Sequence, residues 1–353
     1  MRRAVDGKGQ SVIFIPVSGS SGAGEYYRCL AIAKNIQNQA PDIAVHFLLA
    51  EGAAVERDPR FQYHVLRRSP SMETAAVIDK LRAIHPTAVV FDSSIRTTQL
   101  RAAHNLGAHV IIIVSRPAKR RKLLRPHKLR YVQAAWIIGA PAHQQRLRLM
   151  ERLGTLGWQG ELRFAGTILP PETDNAPEGS IFREPFVLVA PGGGAGARER
   201  LAAFSESAQK LATEHGIPVL YVAGPLSQDP LPDGPNLKAV RSLSPAALAE
   251  AMRKAHICLL GGGSILMQGL GLGKPCIAMP AGGRDQPNRI KELAKAKLII
   301  TPTNHSADAV TTTVAALWEN PVTRQALAAR LLESGFQNAG PEMAKSILSN
   351  TQG

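Results

Sequence analysis

The sequence predicts an α/β protein built as two doubly wound, parallel-sheet domains that face each other across a cleft. Three observations carry this. Short runs rich in Val and Ile alternate with longer amphipathic segments, a βαβ rhythm. The rhythm stops once, at residues 166–184 (GTILPPETDNAPEGSIFRE), where Pro, Gly and acids replace periodicity, as in a linker. It then restarts with the same pattern. The 353 residues suit two domains.

In the first half, Ser11–Val17, Ala44–Leu49, Ala88–Phe91 and His109–Val114 read as buried strands. Between them Tyr26–Gln37, Met72–Ile84 and Thr97–Leu106 read as helices. In the second half the strands are Phe186–Ala190, Pro218–Val222, His256–Leu260, Pro275–Met279 and Lys297–Ile300. Its helices are Leu201–His215, Pro245–Lys254, Ser264–Leu272 and Gln286–Lys295. A helical tail, Pro321–Ser334 and Pro341–Ser349, closes the chain. The expected divisions are residues 1–165, a linker at 166–184, a second domain at 185–335 and a tail at 336–353.

Composition narrows the function classes. Hydrophobic residues at 44% and charged residues at 20% exclude a disordered chain. A formal charge of +15 favours anionic partners. Aromatics at 5% argue against a base-stacking single-strand binder. Cys29, Cys258 and Cys276 form neither a disulfide framework nor a metal pattern, and read as buried small hydrophobes in a reducing compartment. No histidine falls in a metal spacing such as HxxxH, so neither metal nor cofactor is expected. No apolar run reaches the ~18 residues of a membrane span. The basic N-terminus lacks a signal-peptide core, so a cytoplasmic protein is expected, with any membrane contact peripheral.

Glycine loops follow the strands. Ser18-Gly-Ser-Ser-Gly-Ala-Gly24 joins the first strand to a helix opening at Glu25. There, backbone N–H groups and the helix dipole suit an anion, and glycine lets the backbone approach it; a tight turn without ligand is the other reading. The order Gly19-x-x-Gly22-x-Gly24 is neither the dinucleotide fingerprint nor a P-loop. The second half repeats the device at Pro191–Gly196, at Gly261–Ser264 and at Ala281–Asn288. Ser264 reads as the N-cap of the following helix, with Gln268 four residues on along the same face. Three such loops at the strand C-termini of one domain predict a nucleotide-phosphate site.

These residues resemble a family. The stretches VLVAPGGGAGAR (187–198), GGGSILMQGLGLGKPCIAMP (261–280) and GGRDQPNRIKEL (282–293) are similar to the donor domain of GT-B glycosyltransferases. The likeness is to the family 28 group, which includes the N-acetylglucosaminyltransferase of lipid-linked peptidoglycan precursors. GAGEYYRCLAIA (22–33) resembles the start of UDP-sugar hydrolases of the pseudaminic-acid pathway, which share that architecture. The resemblance covers most of residues 11–335 and is thin between 50 and 165.

It implies that Gly192, Gly193, Gly194, Gly262, Gly263 and Ser264 hold a donor diphosphate. Gln268 stands where an acid usually bonds the ribose, Asp285 and Gln286 where the sugar is contacted, and the backbone from Arg241 to Leu243 where uracil is read. Gly22, Gly24 and Arg28 fall on the acceptor or phosphate side. Glu25 replaces a histidine of both relatives. It reads either as the general base or as a first-turn acid favoured by the helix dipole. Asp92, ending a strand, is a second candidate base or the N-cap of the next helix. Arg28 either pairs with Glu25, faces the phosphates or makes a surface ion pair.

Up to residue 180 there are 25 basic and 14 acidic side chains. Eight Lys or Arg and no acid lie in Arg116–Arg130, interleaved with Leu123 and Leu124. That segment suits an anionic membrane surface, or is a solvated loop; no nucleic-acid module accompanies it. The expected activity is inverting, metal-independent transfer from a nucleotide-diphosphate sugar, a hexose carried by UDP, to a sugar, lipid-linked or cell-envelope acceptor. Hydrolysis of the same donor and non-catalytic binding are the alternatives.

Overall fold

The structure, a computed structural model, describes residues 10–17, 24–53, 55, 57–92, 95–114, 117–139, 147–169, 171, 185–193 and 198–350. Gly22, Gly194, Arg116 and most of the expected linker lie outside the described residues. The chain forms two compact units, residues 1–171 with 339–353, and residues 172–338.

The first unit holds seven parallel strands: β1 (Ser11–Pro16), β2 (Ala44–Ala50), β3 (Gln62–Leu66), β4 (Ala88–Asp92), β5 (His109–Val114), β6 (Ala134–Ile138) and β7 (Glu161–Ala165). Their order is β3-β2-β1-β4-β5-β6-β7. The helices are α1 (Gly24–Gln39), α2 (Thr74–Ile84), α3 (Thr97–Asn105), α4 (Pro117–Leu123), α5 (Pro126–Leu129) and α6 (Leu149–Thr155). The central strands are apolar on both faces, because each face carries its own core. One core gathers Phe14, Phe47, Trp136 and the inner face of α1; the other gathers Ile13, Phe91, Ile112 and residues of α2 and α3.

The sequence reading missed β3, β6 and β7. Strands β3 and β7 are only partly buried and carry polar or charged residues, so neither shows an apolar run, whereas β6 is a buried five-residue run opened by two alanines, too short and too poor in β-branched residues to stand out. The basic segment departs from its expected form. Its described part folds into α4 and α5, and Leu123 and Leu124 are 3% and 1% exposed in the second core. That apolar pair therefore anchors the segment and offers nothing to an outside surface.

The second unit repeats the winding with β8 (Val187–Ala190), α7 (Arg198–Thr213), β9 (Val219–Val222), β10 (Leu237–Val240), α8 (Pro245–Lys254), β11 (Ile257–Gly261), α9 (Ser264–Gly271), β12 (Cys276–Met279), α10 (Gln286–Lys295), α11 (Ala307–Glu319) and α12 (Pro321–Glu333). Its five strands run parallel in the order β10-β9-β8-β11-β12. The expected strand Lys297–Ile300 shrinks to one bridge, Ile300 to Ile277. Lys297 ends the turn after α10 in the left-handed region (φ 57°), which leaves too few extended residues for a ladder.

The chain then returns to the first unit. Helix α13 (Gly340–Ser349) lays Met343, Ala344 and Ile347, all fully buried, into the core shared with α1. Ala339 N donates to Thr167 O (2.7 Å) and Arg163 pairs with Glu342 (2.7 Å). Among the described residues, no helix is long and apolar enough to cross a membrane.

Candidate functional site

Each sheet reverses its winding direction between two neighbouring strands, and loops at such a point splay apart at the strands' carboxyl ends to leave a crevice. In the second unit the reversal lies between β8 and β11, paired as Ala190 with Leu260. The loops after β8, β11 and β12 thus start side by side. Gly261 is required there: a Cβ would lie 2.0 Å from the Pro191 carbonyl oxygen, a backbone atom that cannot move aside. Gly192 adopts φ +117°, open only to glycine. The first two glycine loops are therefore in backbone contact.

Helix α9 opens from these loops. Its N-cap is Gly263, not Ser264 as the sequence suggested, and no side chain caps it. Ser264 is the first helical residue and is exposed, because Gly263 already adopts the extended backbone an N-cap needs. The first-turn N–H groups of a helix have no intrahelical acceptor, so this end presents donors and positive potential. Gln268 lies one turn on, half-buried.

The third loop is held by its own side chains. Gln286 Oε1 accepts from Ala281 N (2.7 Å) and Gly282 N (3.2 Å), which takes two backbone donors and leaves the Nε2 amide for another partner. Asp285 is the N-cap residue of α10 without a capping bond; its carboxylate pairs with Arg289 (2.6 Å). Arg289 also donates to Gly262 O (2.7 Å), tying the third loop to the second. Arg289 was missed in the sequence, although its i,i+4 spacing from Asp285 was there to read.

Arg241 and Leu243 turn out differently from one another. The Arg241 guanidinium donates to Ser227 O (3.0 Å) and Asp229 O (2.7 Å), and its carbonyl accepts from Gly224 N (2.9 Å). Leu243 packs, half-buried, on the core.

In the first unit the reversal lies between β1 and β4, where Pro16 is opposite Asp92. Asp92 is fully buried, and its two carboxylate oxygens accept from Arg28 Nε (2.8 Å) and Nη2 (2.9 Å). Of the partners the sequence left open for Arg28, Glu25 among them, the structure adds one it had not named, Asp92. Asp92 is also not the N-cap of α3, which Arg96 provides. Burial disfavours the Arg28 charge, but Asp92 outweighs it and the guanidinium pKa is raised, with a small addition from Glu25. Burial, then the Asp92 charge, pushes the Cys29 thiol well above its usual range. Glu25 lies in the first turn of α1 and is 9% exposed. Gly24 is exposed and has open space where a Cβ would be. Among the described residues, no group of three His, Cys, Asp or Glu is placed to hold a metal ion.

Comparison with solved structures decides the fold class. UGT2 of Phytolacca americana, complexed with UDP-2-fluoro-glucose and pterostilbene, superposes with a TM-score of 0.67 at 12% identity, over 98% of this chain and 100% of that one. The fold is GT-B. The spinosyn forosaminyltransferase SpnP is similar at a TM-score of 0.64 and 15% identity, over 96% of this chain and 99% of its own. UGT71G1 of Medicago truncatula, complexed with UDP-glucose, gives 0.60 and 12%, over 98% and 99%. No family model matches the chain, and no curated protein matches its sequence.

Proposed function

We propose that the chain is an inverting, metal-independent glycosyltransferase that takes a hexose from a UDP-sugar. The observation that carries this is the set of three loops at the neighbouring ends of β8, β11 and β12, converging on the uncapped start of α9, in a GT-B fold. GT-B neighbours solved with UDP-glucose and UDP-2-fluoro-glucose support the donor class. On this reading Gly192, Gly193, Gly262, Gly263 and Ser264 meet the diphosphate, Gln268 the ribose, and Asp285 with Gln286 the sugar.

The chemistry divides between the units. Glu25 takes the proton of an acceptor hydroxyl. The oxygen bonds the anomeric carbon as the bond from that carbon to the phosphate oxygen breaks, with inversion at that carbon. The charge growing on the departing diphosphate is met by backbone N–H groups and the helix dipole. Asp92 keeps Arg28 beside Glu25 and so acts as a positioning residue. The family 28 likeness supports a lipid-linked or cell-envelope acceptor, reached from the cytoplasmic side.

Thermal denaturation with nucleoside diphosphates in EDTA is the first test: UDP should raise Tm, and the absence of a shift with any nucleotide at millimolar concentration would contradict the donor site. The likeness of residues 22–33 to UDP-sugar hydrolases favours a second reading, in which water takes the acceptor's place. Free sugar released from donor alone, at the rate seen with acceptor, would select it.

A further inference from the structure

We propose that α6 and the helices beneath it form a docking face for an anionic lipid bilayer. Between residues 93 and 160 the chain has thirteen Lys or Arg and a single acid, Glu151. Glu151 is 3% exposed and turned inward: Arg120 Nη2 donates to its Oε2 (3.0 Å), and Arg148 N donates to the same oxygen (2.8 Å). The one negative charge of this stretch is thereby neutralised below the surface.

That inward pair also sets the rotation of α6. With Glu151 on the inner side, Leu149, Met150, Leu153 and Leu156 stand outward, 72%, 53%, 54% and 80% exposed. Positions 149 and 153, and 150 and 153, are neighbours on a helix surface, so these side chains form one apolar ridge. Exposed large apolar side chains scattered singly are ordinary, whereas four together on one turn and its exit mark an interaction site.

The ridge sits on the basic segment. A Cβ at Gly154 would lie 2.1 Å from the Leu124 carbonyl oxygen, so α6 rests directly on the junction of α4 and α5. Arg121, Lys122 and Arg125 on those helices, and Arg148 and Arg152 on α6, are exposed. A cavity of 550 Å³, with Leu129, Arg130, Leu156 and Trp158 among its walls, lies beside the ridge.

Charge and shape together select the occupant. A ridge of leucines among cations, on a stretch whose single acid is turned inward, matches the apolar interior and negative headgroups of an anionic membrane. A second copy of the chain would bring the same cations face to face. A nucleic-acid phosphate surface offers the leucines nothing apolar. The proposal replaces Leu123 and Leu124 by α6 as the apolar element, and it does not depend on the transferase reading.

The test is sedimentation of the full chain with vesicles of phosphatidylcholine alone or with added phosphatidylglycerol. Binding is expected only with the anionic lipid. L149Q/L153Q/L156Q should weaken it by about tenfold or more. R121E/K122E/R125E should weaken it by about fivefold per cation removed. Both variants alter exposed side chains, and unchanged melting curves verify that they are folded. Equal binding to both vesicle types, or no binding to either, overturns the proposal. So does a leucine variant that binds like the parent, or capture of duplex RNA in preference to vesicles.

Discussion

The two winding reversals are built from different materials. In the second unit the crevice is framed by backbone: Gly261 against the Pro191 carbonyl, Gly192 in a conformation reserved for glycine, and an α9 start that no side chain caps. In the first unit the same topological position is occupied by an ion pair between half-buried Arg28 and fully buried Asp92, with Glu25 beside it. One crevice suits a ligand that accepts many N–H groups, such as a diphosphate; the other suits proton transfer beside a fixed charge. On the proposed reading, the shared winding gives the two binding positions and the side chains give each its chemistry.

The largest expected effect tests that division. Glu25→Gln should lower kcat by roughly 10²–10⁴-fold, the usual contribution of a general base, while UDP affinity stays near that of the parent. A variant that loses UDP affinity and keeps kcat would reverse the assignment of the two units. Asp92→Asn should reduce kcat less than Glu25→Gln, and loss of the Asp92 charge beside Arg28 should lower stability measurably in chemical denaturation. If both carboxylate variants turn over like the parent, neither residue has the proposed role.

Glycines sharpen the contrast. Gly261→Ala forces a Cβ onto a backbone oxygen and should destabilise the second unit by about 1–3 kcal/mol, with loss of UDP binding. Gly24→Ala meets nothing within 4 Å and should be close to neutral in melting temperature. Equal effects at the two positions would erase the distinction between a backbone-framed and a side-chain-framed crevice.

The smallest expected effect lies at the edge of the first sheet. His46 Nδ1 and His64 Nε2 are 3.1 Å apart on β2 and β3. Burial lowers both pKa values, aided at His46 by the facing His64 and at His64 by Lys80. The unfolded chain therefore binds protons more readily. This contribution is complete above the unfolded value of about 6.5 and is lost as pH falls through the lowered folded values. Between pH 7.5 and 5.5 the parent should lose up to about 2–4 °C of Tm more than His64→Gln. Equal losses would remove these imidazoles from the account.

What the sequence disclosed follows the same contrast. Buried parallel strands such as Val12–Ile15 and Ile111–Val114 announce themselves as apolar runs, and glycines at strand ends mark where backbone must come close. Edge strands β3 and β7 carry mixed side chains and are held by ladder bonds that leave no pattern in the sequence. Partner choice over long separations was equally hidden. Nothing in the sequence near Arg28 points to Asp92, which lies 64 residues away, as its partner. Nor does the spacing of Leu123 and Leu124 show that they point inward while the leucines of α6 point out.

Amide hydrogen exchange, with and without UDP in EDTA, tests the central claim most directly. Slowed exchange is predicted in peptides spanning Pro191–Gly193, Gly262–Leu266 and Ala281–Gln286, with little change across the first turn of α1. Protection confined to the first unit, or absent from all three loops at saturating nucleotide, would contradict it.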